Sequence, residues 1–139
     1  MKKNKLKLNP EKTHVMTLGT QERLRNSRDS IQVTMDNALL KEDGDNCEFL
    51  LGCKIQANLK WHKHVHLLLG KLKTRLTGLT KLKKFAPFTV RKKLAEGLFN
   101  SSMVYCLPLF GEMDMGDMKD LQVMQNKAAR EVKFGTDTH

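Results

Sequence analysis

The middle of this chain lacks acidic residues, since none lies between Phe49 and Ala95 in a sequence of 139 residues. The same stretch carries twelve basic side chains, and the whole chain has a formal net charge of +10. Such a density of positive charge attracts polyanions. A basic face is also typical of a solvated helix, so a polyanionic partner needs further support. The twelve are Lys54, Lys60, Lys63, Lys71, Lys73, Arg75, Lys81, Lys83, Lys84, Arg91, Lys92 and Lys93.

Cysteines and long apolar runs are also scarce. Cys47, Cys53 and Cys106 are odd in number and widely separated, with no C-x-x-C pair, so neither a disulfide framework nor a zinc finger is indicated. No apolar run approaches the length that spans a bilayer. The basic N-terminus is followed by alternating sequence and not by the apolar run of a secretory signal. The expectation is a cytoplasmic or nuclear protein that is not secreted and has no membrane partner.

The first third of the chain predicts a small antiparallel sheet. Segments 13–18 and 30–35 alternate or carry β-branched residues, which is typical of strands. Asp43-Gly44-Asp45 is a turn signal, and segment 47–55 predicts a further strand with Gly52 at a bulge or close backbone approach. Segment 21–28 is expected to be flexible. A chain of this length can bury one modest core, or a small sheet beside a helical subdomain.

The remainder predicts three amphipathic helices. The first follows Trp61, the second begins at Pro87, and Asp114 caps the third. Glu131 falls where the third helix should be apolar, and a buried, unpaired carboxylate is costly. Either that helix frays before Glu131, or the sequence has begun to drift from selection for this helix. The fold class is therefore α+β, with a sheet region over 1–58, helices over 59–135 and a tail over 136–139. The residues predicted to face inward are Val65, Leu68 or Leu69, Leu72, Leu76, Leu79 and Leu82, then Val90, Leu94, Leu98 and Met103, then Met118, Leu121, Met124, Ala128 and Val132.

Three phrases in fixed order carry a family resemblance: Leu6-Lys7-Leu8-Asn9-Pro10-Glu11-Lys12-Thr13, then Phe49-Leu50-Leu51-Gly52 leading to Trp61 and His64, then Leu121-Gln122-Val123-Met124-Gln125-Asn126-Lys127-Ala128-Ala129-Arg130. Together they resemble the C-terminal palm and the thumb of a non-LTR retrotransposon reverse transcriptase, an RNA-directed DNA polymerase. The resemblance covers nearly the whole chain. It implies that the sheet is residual palm with the primer-grip hairpin and that the three-helix bundle is the thumb.

The resemblance also implies roles for particular residues. Lys12 matches the family's palm lysine, which is thought to protonate the leaving pyrophosphate. The F-x-LG phrase matches the hairpin that holds the primer 3′ end, and so assigns Phe49, Leu51 and Gly52 to a primer grip. Trp61 and His64 match the pair that commonly opens the thumb's first helix. The partner that the resemblance implies is an RNA/DNA template–primer duplex.

Catalysis is not expected from this chain as it stands. Two-metal nucleotidyl transfer needs clustered carboxylates, which the family supplies from an aromatic-x-Asp-Asp turn and an earlier strand aspartate. No two aspartates are adjacent here, and Met1 falls after the point where the family carries them. The resemblance therefore implies a truncated fragment that binds no cofactor itself, whereas the full-length family uses Mg²⁺. Sequence-independent phosphate contacts are predicted instead, from Lys71, Arg75, Lys81, Lys84, Arg91 and Lys92.

Other interpretations remain open beside this one. The chain could be a standalone basic helical nucleic-acid-binding module with no polymerase role. His62 and His66 share a helix face as paired zinc ligands do, but no third ligand lies nearby in sequence, so histidines flanking a basic helix are favoured. The leucine stripe beside lysines also fits a membrane-surface helix, although two further amphipathic helices are present to cover it.

Overall fold

The computed structural model describes residues 9–27, 33–35, 38–40, 46–105 and 113–133. They form two compact units, which divide between Lys60 and Trp61. The first unit holds short strands and one short helix, and the second is helical. The mixed α+β class predicted from the sequence is confirmed. The predicted tail at 136–139, the turn at Asp43-Gly44-Asp45, and Cys106 lie outside the described residues.

The first unit begins with a 3-10 turn over Pro10–Lys12. The side-chain oxygen of Asn9 accepts a hydrogen bond from the Glu11 N–H at 3.0 Å, and the Asn9 carbonyl accepts one from the Thr13 hydroxyl at 2.7 Å. This Asx turn fixes the LNPEKT phrase locally. The prediction of a strand over segment 13–18 is wrong. Val15 alone in this segment makes a β-bridge.

Helix α1, Gln21–Ser27, occupies the segment that was predicted to be flexible. The Thr20 hydroxyl lies 3.4 Å from the Arg23 N–H, and the Leu24 N–H donates to the Thr20 carbonyl at 2.9 Å. Thr20 therefore stands at the helix N-terminus, where threonine is a favoured residue. The prediction of flexibility did not take this threonine into account.

Two separate hairpins replace the single sheet that was predicted. Strand β1, Thr34–Met35, pairs antiparallel with β2, Ala38–Leu39. Strand β3, Cys47–Leu50, pairs with β4, Cys53–Gln56, in the register Cys47↔Gln56 and Leu50↔Cys53. Part of the predicted strand 30–35 is thus observed, whereas 30–32 lie outside the described residues. Segment 47–55 is two strands and not one.

A two-residue turn explains why segment 47–55 folds back. Leu51 and Gly52 both have positive φ, 49° and 83°, as the tight type I′ hairpin turn requires. Gly52 is therefore a turn residue and not a bulge. Glycine adopts this conformation readily, whereas leucine pays a steric cost there. Cys47 is a buried free thiol, and Cys53 is disulfide-bonded, which the cysteine count did not predict.

The second unit begins with helix α2, His62–Leu82, directly after Trp61. Helix α3 spans Phe88–Leu94 and continues through a π-helical turn, Ala95–Asn100, into α4, Ser101–Val104. Helix α5 spans Met115–Lys133. The predicted bundle of three helices is not confirmed, because the second helix is divided and the unit contains four α-helices among its described residues.

Side-chain donors bind two carbonyls of the π-helical turn. The Leu98 carbonyl accepts hydrogen bonds from the Arg75 guanidinium and, at 3.2 Å, from the Ser102 hydroxyl. The Ser101 hydroxyl likewise donates to the Gly97 carbonyl. These donors give the two carbonyls partners besides the backbone N–H groups of the helix.

The core lies between α2, the π-helical turn and α5. Its buried members are Val65, Leu68, Leu72, Phe99, Leu121, Met124 and Ala128, with Trp61, Leu69, Leu76, Met103 and Met113 packed against them. The leucine stripe of α2 is therefore largely confirmed, although Leu82 is exposed. Added Cβ atoms at Gly70 and Gly78 would meet nothing within 4 Å, so no close packing requires these glycines.

The inward face of the second helical segment differs from the prediction by one residue. Val90 and Leu98, predicted to face inward, are exposed, whereas Arg91, Ala95 and Phe99 are buried. Both sets repeat every four residues, so helical spacing alone could not choose between them. Phe99, the largest fully buried side chain among the described residues, sets the observed face. Arg91 is carried inward with it.

Helix α5 shows a smaller shift at its start. The Asp114 carboxylate lies 3.4 Å from the Gly116 N–H, and the Asp114 carbonyl accepts from the Met118 N–H at 3.0 Å, so the predicted cap is observed. Asp117 is buried and Met118, predicted inward, is exposed. The helix does not fray before Glu131. That side chain is partly exposed, and its Oε2 lies 3.6 Å from the Lys83 Nζ.

Candidate nucleic-acid interface

The outward face of α2 is basic because of how its apolar face packs. His64, Val65, Leu68, Leu72 and Leu79 are buried and define the inner side. At about 3.6 residues per turn, the helix then places Lys73 and Lys81 on the opposite side and Lys71 on one flank. All three are exposed, and Lys84 is exposed in the turn that follows. Burial of the leucines thus turns these cations toward solvent.

The six predicted phosphate ligands fall into two groups. Lys71, Lys81, Lys84 and Lys92 are exposed. Arg75 is partly buried, and its guanidinium donates to the Leu98 carbonyl. Arg91 is only 2 % exposed, so a phosphate at the surface cannot approach its guanidinium. The two arginines are therefore structural neighbours of the π-helical turn, and the lysines alone form the exposed basic surface.

Two residues on this surface were missing from the predicted set. Lys73 lies away from the buried leucines, since it is about 100° around the helix from Leu72 and farther from Leu68 and Leu79. Phe85 is 85 % exposed directly after Lys83-Lys84. Its signal in the sequence was an aromatic residue among lysines, which is typical of surfaces that bind nucleic acid.

The residues matched to the palm and primer grip all lie in the first unit. Lys12 ends the 3-10 turn and is exposed. Phe49 and Leu51 are exposed at the tip of the β3–β4 hairpin, beside Gly52. The Lys54 Nζ lies 5.6 Å from the centroid of the Phe49 ring, within the range of a cation–π contact. The tip therefore presents apolar side chains and one cation to solvent.

Trp61 and His64 meet at the start of α2. Their rings lie edge to face, with centroids 6.4 Å apart, and the Val65 N–H donates to the Trp61 carbonyl at 2.9 Å. Burial lowers the pKa of His64, and the positive charge of Lys71 lowers it further. This histidine therefore favours the neutral form in the folded unit.

A pH-dependent stability follows from His64. Its pKa is about 6.5 when unfolded and lower when folded, so between the two values the unfolded chain binds more protons. Stability is then complete above about pH 6.5 and falls as the pH is lowered through the folded-state pKa. We expect the urea midpoint to fall more between about pH 8 and pH 5 in the natural chain than in His64→Gln. Equal losses in both proteins would contradict the assignment to His64.

His62 contacts a carboxylate of α5. Its Nδ1 lies 2.9 Å from the Asp117 Oδ1, which joins the first turn of α2 to the first turn of α5. Within the described ranges, no group of three or more His, Cys, Asp or Glu side chains could hold a metal ion. The same described residues include no helix long and apolar enough to cross a membrane.

A cavity of about 430 Å³ lies between α3, the π-helical turn and α5. Ala95, Ala128 and Val132 line its apolar part, and Lys92 and Lys133 lie at its rim with Glu96. The mixed charges at the rim select no class of ligand.

Comparisons with protein-family models, with curated proteins and with solved structures gave no match.

Proposed function

We propose that this chain binds nucleic-acid duplexes without regard to sequence, through the basic outward surface of its second unit. The observation that carries the proposal is the outward side of α2, where Lys73 and Lys81 lie opposite the buried leucines with Lys71 on the flank. No acidic residue interrupts the sequence from Phe49 to Ala95. Lysines of this kind neutralise phosphates and release counterions, which gives affinity without base readout.

The duplex that we propose is the template–primer hybrid of a reverse transcriptase. The ordered phrases around Lys12, Phe49-Leu50-Leu51-Gly52 and Leu121–Arg130 support this interpretation, because they resemble the palm and thumb of a non-LTR retrotransposon polymerase. The exposed hairpin tip at Phe49 and Leu51 is compatible with a grip on a primer end. On this proposal the chain is a fragment of such an enzyme and retains its binding surface.

We further propose that these 139 residues do not polymerise by themselves. Two-metal transfer needs carboxylates that hold ions about 4 Å apart, and no two aspartates are adjacent in the sequence. Primer extension would require carboxylates from a longer protein or from another chain. The fragment therefore needs no cofactor for its own binding activity.

The test is fluorescence anisotropy of a labelled blunt RNA·DNA hybrid across a salt series. We expect submicromolar affinity near physiological salt, equal for unrelated sequences and steeply weaker as salt rises. Binding at about 10⁻⁴ M or weaker, the weak end of the range for sequence-independent association, would contradict the proposal. A strong preference for one sequence would contradict it as well.

A second candidate is a standalone nucleic-acid-binding module with no polymerase role. The observation that favours it is that the described residues from Trp61 onward form a compact unit by themselves. The two candidates differ in what the first unit contributes. Loss of affinity for recessed primer ends, but not for blunt hybrids, on Phe49→Ala would favour the polymerase fragment.

A further inference from the structure

An exposed aromatic ring stands at the corner between α2 and α3, which comprises residues 81–88 and is here named the α2–α3 corner. Phe85 is 85 % exposed, so its ring contributes almost nothing to the core. Phe88, the first residue of α3, is also exposed. Neither the core nor the resemblance gives this ring a role.

The backbone of the α2–α3 corner is fixed. The N–H groups of Phe85 and Ala86 both donate to the Leu82 carbonyl, at 3.0 and 2.9 Å. Pro87 follows with an extended backbone, and its carbonyl accepts from the Val90 and Arg91 N–H groups at 3.1 Å each. The Phe85 ring is therefore carried on a hydrogen-bonded turn, and its binding would cost little backbone ordering.

The lysines of the α2–α3 corner divide between the core side and solvent. Lys83 turns toward α5, where its Nζ lies 3.6 Å from the Glu131 Oε2. Lys81 and Lys84 remain exposed on either side of it. The corner thus presents an aromatic ring together with two cations, and no acidic residue lies near it in sequence.

We propose that the α2–α3 corner binds an unpaired nucleotide next to a duplex, with the base stacked on Phe85 and the phosphates beside Lys81 and Lys84. An aromatic platform with flanking cations is the chemistry that recognises single strands without reading sequence. The proposal rests on the proposed function, because the outward face of α2 would hold the adjoining duplex. It adds a preference for single-strand–duplex junctions over blunt ends.

The experiment compares blunt RNA·DNA hybrids with hybrids that carry a short single-stranded overhang, using the full chain. Stacking on an aromatic ring, measured by alanine substitution, corresponds to about 5- to 150-fold in affinity per base. We expect the natural chain to prefer the overhang by about fivefold or more. Phe85→Ala and Phe85→Leu should abolish that preference by lowering the affinity for the overhang hybrid, while Phe85→Trp should retain it.

The outcomes distinguish failure of the proposed function from failure of this inference. No binding to either hybrid by the natural chain would overturn the proposed function and this inference with it. Equal affinity for both hybrids would overturn this inference alone. Full preference in Phe85→Leu would show that extra phosphates, and not stacking, cause it. Flotation with phosphatidylserine vesicles that is lost in Phe85→Ala, with the overhang preference unchanged, would assign the ring to membranes and overturn the inference.

Discussion

Charge reversal of Lys81 and Lys84 together is expected to weaken binding to a blunt RNA·DNA hybrid on the order of 10- to 100-fold near 0.1 M salt. Both side chains are exposed, at the end of α2 and in the turn after it. Each phosphate contact that is lost should also flatten the salt dependence by about 0.9 in the slope of log affinity against log salt. The loss should be the same for unrelated sequences, because phosphates carry no sequence information.

A matched double variant tests whether binding depends on the outward surface of α2 or on the net charge of the chain. Lys119 and Lys127 are exposed on α5, away from its buried side, and reversal of both changes the net charge by the same amount. We expect that control to bind nearly as the natural chain does. Equal losses in the two double variants would contradict a localised interface and would leave only long-range attraction between opposite charges.

The variant itself should remain folded. Lys81 lies in the last turn of α2, where a cation interacts favourably with the helix dipole, so its reversal costs about 1 kcal/mol or less. Neither lysine forms part of the core. Urea denaturation of the variant would confirm that its affinity and not its folded fraction has changed.

The sequence predicted the periodic parts of the fold better than the positions where a single interaction decides. Helix α2 repeats leucine at spacings of three and four, and a long repeat of this kind leaves one inner face only. In the segment after Pro87 two inner faces were consistent with the spacing. The choice depends on Phe99, whose burial is a property of three packed elements and not of its own helix.

The β3–β4 hairpin shows a second limit of prediction from the sequence. Leucine at positive φ is uncommon, so nothing in Phe49-Leu50-Leu51-Gly52 as a pattern indicated that Leu51 would enter a type I′ turn. The turn depends on the pairing of β3 with β4, in which Cys47 lies opposite Gln56. The resemblance to a primer-grip hairpin, and not the residue pattern, had suggested that the chain folds back here.

The positive charge of the candidate surface was predictable from the sequence, but the residues that form it were not. A stretch without acidic residues is basic in any fold. Which cations reach solvent depends on contacts far apart in sequence, as between Arg75 and the Leu98 carbonyl or between Lys83 and Glu131. Those contacts withdraw two cations from the exposed surface, and burial withdraws Arg91.

Phe99→Ala is expected to be the most destabilising single substitution in the second unit. The side chain is 0 % exposed and lies in the buried cluster with Leu72 and Leu121. Truncation of a buried phenylalanine costs about 3–5 kcal/mol, against a total of about 5–15 kcal/mol for a typical domain. We expect a large fall in the urea midpoint and loss of helical circular dichroism. Trp61, the only tryptophan, packs against the same cluster and reports unfolding by fluorescence.

Leu98, the residue before Phe99, supplies the control. Comparison of the two alanine variants decides which face of this helical segment packs inward. Leu98 lies in the same π-helical turn but is half exposed, so Leu98→Ala should cost about 1 kcal/mol or less. Its backbone carbonyl, which accepts from Arg75, is unchanged by the substitution. If Leu98→Ala were the more costly of the two, the inner face would be the one through Val90 and Leu98 that the spacing also allowed. Arg91 would then turn outward, and the basic surface would gain an arginine that could grip phosphate with two parallel hydrogen bonds.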